Sequence, residues 1–243
     1  MTIYPREFYL KQLRPFYDSD LIKVITGIRR CGKSCLMQSV AVELKSKGVA
    51  EKDIVFLNLD KRGYKNIVTP DALEKAIDAK IVDEDFKYIF IDEIQNVEGF
   101  EPVINAYREE GNCSIFITGS NSYLLSGELV TKLTGRYVQI DMHTLSFDEF
   151  LSMKRFLGIE LHDNRIEFDE YLTRGGFSKV LEFSDTDVKF KYISEIVAQV
   201  FDKDIYARCK IKNRIAFDKV MTYLINNFGS RINLQSLENY FRS

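Results

Sequence analysis

The stretch VITGIRRCGKSCLM, Val24 to Met37, decides how the rest of the chain is read. A β-branched apolar run reaches Gly27, and Gly27 to Ser34 then spell G-I-R-R-C-G-K-S, the G-x-x-x-x-G-K-[ST] spacing of a phosphate-cradling loop. Each residue type has a physical task. Glycines let backbone amides approach a polyanion, the amino end of the next helix favours negative charge, Lys33 neutralises outer phosphates, and Ser34 offers a hydroxyl to magnesium. The candidate loop is Gly27, Ile28, Arg29, Arg30, Cys31, Gly32, Lys33, Ser34 and Cys35. Arg29 and Arg30 have two readings, a contact with a partner or a solvated pair.

Working outward, LIKVIT before the loop reads as a buried parallel strand, and SCLMQSVAVELKSKG after it as a helix ending at Gly48. DIVFLNLD, KYIFIDEIQ, CSIFITGS and RYVQIDMH are four further strands. Between them lie helical patterns: one opened by Thr69 as cap with Pro70 in its first turn, one over 102–110 stopped by Gly111, and part of 121–133. This alternation predicts an α/β core with a five-stranded, mainly parallel sheet and helices on both faces, the P-loop NTPase arrangement. After about Thr144 only helices are expected: one with a capping box of Ser146 and Glu149, then 167–173, a long helix over 185–209, 217–228 and 234–240. The expected division is a core over 1–144, a helical region over 145–212, and the truncated start of a winged-helix segment over 213–243.

In such sheets ligands sit beyond the carboxyl ends of the strands, which brings three distant motifs to one crevice. Asp92, ending YIFID, suits magnesium, directly or through water; Glu93 beside it suits a base that polarises attacking water. An acid pair points to hydrolysis rather than phosphate transfer to a second substrate. Asn121 follows the fourth strand, where its amide can sense the outer phosphate, with Ser120 as the substitute. Arg136 opens the fifth strand at the other end, which suits an arginine offered to a neighbouring subunit's nucleotide; a surface ion pair explains it equally.

Several classes are excluded or disfavoured. LLSGE at 124–128 follows the acidic strand, whereas in transporter-type ATPases it precedes it, and no N-K-x-D supports guanine specificity. His143 and His162 lack ligand-spaced companions. The four cysteines include no C-x-x-C pair, so reduced thiols are expected and zinc is not. A net charge of -2 argues against wholesale coating of nucleic acid. No run approaches the ~18 apolar residues of a membrane span, and the amino terminus lacks a signal core. Cytoplasmic residence is expected. Arg208, Lys210, Lys212, Arg214 and Lys219 form a basic stretch that could meet DNA phosphates or simply be solvated.

LIKVITGIRRCGKS, YIFIDEIQNVEGFE, ITGSNSYLLSGELVTKLTGRY, LSFDEFL and YLTRGGF, in that order over about 4–180, together resemble the prokaryotic AAA-type ATPases of bacteria and archaea. The resemblance implies a Mg-ATP-dependent ATPase core with a small helical region. Lys33 is then the phosphate-binding lysine, Ser34 and Asp92 the magnesium contacts, Glu93 the catalytic acid of the pair, Asn121 the sensor and Arg136 the candidate finger in a homo-oligomer. Members commonly continue into a winged helix and a nuclease-like domain; the stretch read here is expected to reach only the start of the former, so no nuclease activity is expected of these residues. Ser178 stands where proline is usual after GGF. The expected function is ATP hydrolysis driving a conformational switch, with a nucleotide-gated binding module of little turnover as the alternative.

Overall fold

The computed structural model describes residues 3–120, 133, 135–206 and 211–242. Five strands, β1 (Ile22–Gly27), β2 (Ile54–Asn58), β3 (Lys87–Asp92), β4 (Cys113–Ser120) and β5 (Tyr137–Met142), form one sheet in the order β2-β3-β4-β1-β5. All its neighbouring strands are parallel. Every residue of β1 and β3 is buried, whereas β2 at one edge alternates between buried and half-buried. That difference is why the interior strands read as mostly continuous apolar runs, with Lys23, Thr26 and Lys87 buried among them.

The strand period of two splits β3 between two cores. Ile89 and Ile91 pack with Ile22, Val24 and Ile117 under α3 (Pro70–Asp78) and α4 (Glu101–Glu110). Tyr88 and Phe90 face the other way, with Phe116, Ile25, α2 (Lys33–Ser46) and α1 (Glu7–Leu13). Phe90 and Phe116 stack with centroids 4.6 Å apart. Thr69 caps α3 by accepting the Ala72 amide at 3.3 Å, and Gly111 ends α4 at φ +76°, both as expected. The helix α1 has no counterpart in the sequence reading.

Beyond the sheet, α5 (Phe147–Phe156) begins with the expected capping box, Ser146 and Glu149 each bonding the other's backbone amide. It packs with α6 (Asn164–Arg174) around Leu145, Phe150, Leu151 and Leu181, and α7 (Thr186–Gln199) follows. The single helix expected over 185–209 is corrected: α7 stops at Gln199 and Val200–Tyr206 wind as a π-helix. The chain divides there into two compact units, 1–200 and 201–243. The helices α5 to α7 belong to the first unit: Arg6 holds Glu149 of α5, Lys154 joins α5 to Glu167 of α6, Tyr171 of α6 donates to the Leu145 carbonyl, and Tyr192 of α7 accepts from Arg30 of the loop after β1. The second unit holds α8 (Arg214–Asn226) and α9 (Leu234–Arg242). No helix among the described residues is long and apolar enough to cross a membrane.

Candidate functional site

The loop between β1 and α2 is shaped by three residues at positive φ: Gly27 at +152°, Arg30 at +62° and Gly32 at +107°. Gly32 caps α2 without a side-chain cap, and no acid stands in the first turn. The first-turn amides and the helix dipole are therefore available to an anion. The Lys33 ammonium is 4% exposed and donates to the carbonyls of Gly27 at 3.0 Å and Ile28 at 3.1 Å. These neutral acceptors hold the charge beside the loop and can be exchanged for anionic phosphate oxygens, which add the attraction of opposite charges.

The register pairs Asn58 with Asp92 and Gly27 with Ser120 and Met142, so the ends of all five strands meet on the loop's side. Asp92 is fully buried. One carboxylate oxygen accepts the Thr118 hydroxyl at 2.6 Å and the other the Asn58 amide at 2.7 Å. Thr118 also accepts the Glu93 backbone amide at 3.0 Å. Glu93 sits in the left-handed region at φ 60°, ψ 48°, a strained placement for a glutamate, and its carboxylate accepts the Gln95 amide. Thr118 and Asn58 escape the sequence reading; the only signal was a polar residue inside otherwise apolar strands.

A cleft of about 320 Å³ joins these parts. Gly32, Lys33, Ser34, Cys35 and Arg30 line one wall, Glu93 lies at the strand edge, and Ser178, Lys179 and Tyr192 of the helical region complete it. Arg30 donates to the Tyr192 hydroxyl at 3.2 Å, with its guanidinium carbon 5.3 Å from the ring centroid. Burial, and then the charge of Asp92, push the Cys35 thiol up, and burial does the same for Cys31, so both are protonated near neutral pH. The donor set fits a magnesium–triphosphate: a hydroxyl, Ser34, lines the cleft with a lysine, and a hydrogen-bonded carboxylate, Asp92, ends β3, separated from β1 by β4 alone.

Not every candidate joins this group. Asn121 lies outside the described residues, as do Arg208 and Lys210. Arg136 precedes β5, and its carbonyl accepts the Ile22 amide at the start of β1. Six residues of β1 separate it from the loop, about 16 Å at the usual strand rise. Its side chain bonds Asn105 at 3.1 Å and approaches Glu109 at 3.9 Å. Arg214 in the second unit pairs with Asp202 at 2.6 Å, so part of the basic stretch is neutralised internally. His162 lies beside Glu167 at 3.4 Å, away from the cleft.

Residues 19–151, more than half of the chain, match a family model described as an AAA domain, and residues 165–242 match one described as a domain of unknown function. An uncharacterized protein of Haemophilus influenzae is 37% identical over 241 residues, 98% of this chain and 59% of that protein. One of Methanocaldococcus jannaschii is 30% identical over 229 residues, covering 91% and 50%. The chain thus spans between half and three fifths of these relatives' lengths. Among solved structures, AMPPCP-bound DnaA from Aquifex aeolicus aligns over 93% of this chain and 71% of its own, at 17% identity and a TM-score of 0.47.

Proposed function

The chain belongs to the AAA-domain family, and from that premise we propose that it binds Mg-ATP over Gly27–Ser34 and hydrolyses it to ADP and phosphate. Membership carries nucleotide binding of the ATPase type; hydrolysis and its use as a switch are the proposal. The observation that supports it most is the shared cleft, in which Lys33, Ser34 and Glu93 face Lys179 and Tyr192 of the helical region. A nucleotide there touches both walls, and any difference in its affinity for two arrangements of those walls shifts the balance between them.

In this reading the free amides at the start of α2 and the Lys33 ammonium take the phosphate oxygens. Ser34 and Asp92 would hold magnesium, directly or through water, and the ion would supply shielding of the phosphate charge. The Glu93 carboxylate, released from Gln95, accepts a proton from water as the water oxygen bonds to the outer phosphorus. The bond from that phosphorus to the ADP oxygen breaks, and its electron pair leaves with ADP. Asn121 is the proposed phosphate sensor. Arg136, half-buried at the amino end of β5 and so at the far end of the strands from its own loop, is proposed to complete the site of a second copy. The alternative, a nucleotide-gated binder with little turnover, is favoured by the Gln95 bond that occupies the Glu93 carboxylate.

Phosphate release from Mg-ATP across a protein concentration series separates these readings. Wild type should turn over, Glu93→Gln should lose turnover while keeping nucleotide, Lys33→Ala should lose nucleotide, and Arg136→Ala should remove the rise of specific activity with concentration. Tight binding with flat, identical release in wild type and Glu93→Gln would leave the binder as the account.

A further inference from the structure

Arg6, in the segment before α1, is 5% exposed and uses all five N–H donors of its guanidinium. Nε and Nη2 form a fork on the Glu149 carboxylate at 2.7 and 2.6 Å. Nη1 donates to the carbonyls of Cys31 and His143, each at 3.2 Å, and Nη2 also to that of Thr144 at 3.3 Å. One buried side chain thus ties together the phosphate loop, the carboxyl end of β5 and the first turn of α5. Glu149 is fixed in turn by the capping box, its carboxylate also accepting the Ser146 amide at 3.0 Å.

The Cys31 contact has a geometric consequence. No peptide among the described residues is cis, and in a trans peptide the carbonyl and the following N–H point in opposite directions. Turning the Cys31 carbonyl toward buried Arg6 turns the Gly32 amide away from it, and Gly32 lines the cleft. Without an arginine to hold it, this peptide, which leads into a glycine free of Cβ constraint, can flip and present a carbonyl to the phosphates instead.

We propose that Arg6, held by Glu149, is a positioning residue of the phosphate site: it sets the Cys31–Gly32 peptide plane so that the Gly32 amide faces bound phosphate, and it couples that loop to α5. The inference rests on the cleft being a nucleotide phosphate site. Lysine cannot replace the fork, because a point ammonium cannot reach a carboxylate and three carbonyls in one plane.

The test uses the full chain with ¹⁵N-labelled glycine and Mg-ADP as probe, reading the dissociation constant and the Gly32 amide resonance. In wild type the Gly32 signal moves on binding, while that of Gly48, beyond the far end of α2, stays. Arg6→Lys and Glu149→Gln should each weaken Mg-ADP about tenfold, the loss of one charge-assisted hydrogen bond, and abolish the Gly32 shift. Tyr171→Phe removes another bond that secures α6, from its hydroxyl to the Leu145 carbonyl, and should change neither readout. Folded Arg6→Lys or Glu149→Gln protein with wild-type affinity and an unchanged Gly32 shift overturns the proposal. If Arg6→Lys does not fold, Glu149→Gln decides by the same two readouts. Wild type that binds no Mg-ADP would instead refute the phosphate-site reading itself.

Discussion

Replacing Gly27 by alanine probes the geometry on which the loop depends. A Cβ built on Gly27 would lie 2.3 Å from the Met142 carbonyl oxygen and 2.7 Å from the Cys31 sulfur. Neither neighbour yields cheaply. Met142 is paired with Gly27 in the β1–β5 ladder and is buried, and Cys31 is buried with its carbonyl held by Arg6. Backbone strain for an L-residue at this φ amounts to roughly 1–3 kcal/mol, and forcing a carbon into a packed site adds about 1–3 kcal/mol. In a unit of some 200 residues each kcal/mol moves Tm by about 2–4 °C, so a fall of roughly 10 °C is expected.

Gly32→Ala is the matched comparison. Its added Cβ meets only the Met142 methyl carbon, 3.3 Å away at the end of a flexible side chain, so the backbone preference at φ +107° is most of the loss. About 1–2 kcal/mol is expected, or a few degrees. Scanning calorimetry on both variants gives the ranking. A Gly27→Ala protein that melts with wild type, or no lower than Gly32→Ala, would show that the β1–β5 edge can open around a methyl group and that the loop is not locked as described.

Burial pushes the Lys23 ammonium down to about 8, although it donates to Ser114 at 2.6 Å and Ser19 at 3.1 Å. Between about pH 8 and the ordinary 10.5 the unfolded chain then holds a proton that the folded chain lacks, so this residue makes stability rise with pH there, by about 3 kcal/mol in all. Lys23→Met should abolish that slope: in urea unfolding, wild type gains on the variant from about pH 7.5 to 9.5, and a constant gap counts against the burial argument. Asp92→Asn turns one amide N–H toward a donor, whether Thr118 or Asn58, and should destabilise by about 1–3 kcal/mol in urea; an unchanged midpoint would mean that neither bond is held. Thr69→Ala should cost about 1 kcal/mol through the lost cap of α3, measurable in the same assay, whereas no loss would make the cap incidental.

What the sequence disclosed and what it hid differ by range. Gly27, Lys33, Ser34, Asp92 and Glu93 each sit where a short apolar pattern breaks, so their local signal and their place in the sheet coincide. The capping box of Ser146 and Glu149 was likewise local, three residues apart. Arg6 was not: its carboxylate partner is 143 residues away, and a lone arginine before a short helix has no pattern that announces it. Tyr192 meets Arg30 across 162 residues, and Thr118 meets Asp92 across 26. The change to π-helix at Val200 has no marker in VFDKDIY that we can identify, and helical periodicity alone extended that element too far.

Asp92 shows why the strand reading nonetheless reached the site. A strand covered on both faces is apolar except where a polar side chain finds a partner, because neither face offers water to an unpaired polar group. The run YIFI therefore fixes β3 as interior, and the first acid after it marks where that double cover ends. But Asp92 is itself fully buried, so a carboxylate there is tolerable only if its oxygens are bonded, and they are, to Thr118 on the neighbouring β4 and Asn58 on β2. Interior burial thus does two things with one residue: it makes the position conspicuous in the sequence, and it requires polar partners on both flanking strands. Searching each flanking strand for a polar residue at the matching register would have found both, since Asn58 pairs with Asp92 directly and Thr118 follows Ile117, the partner of Ile91.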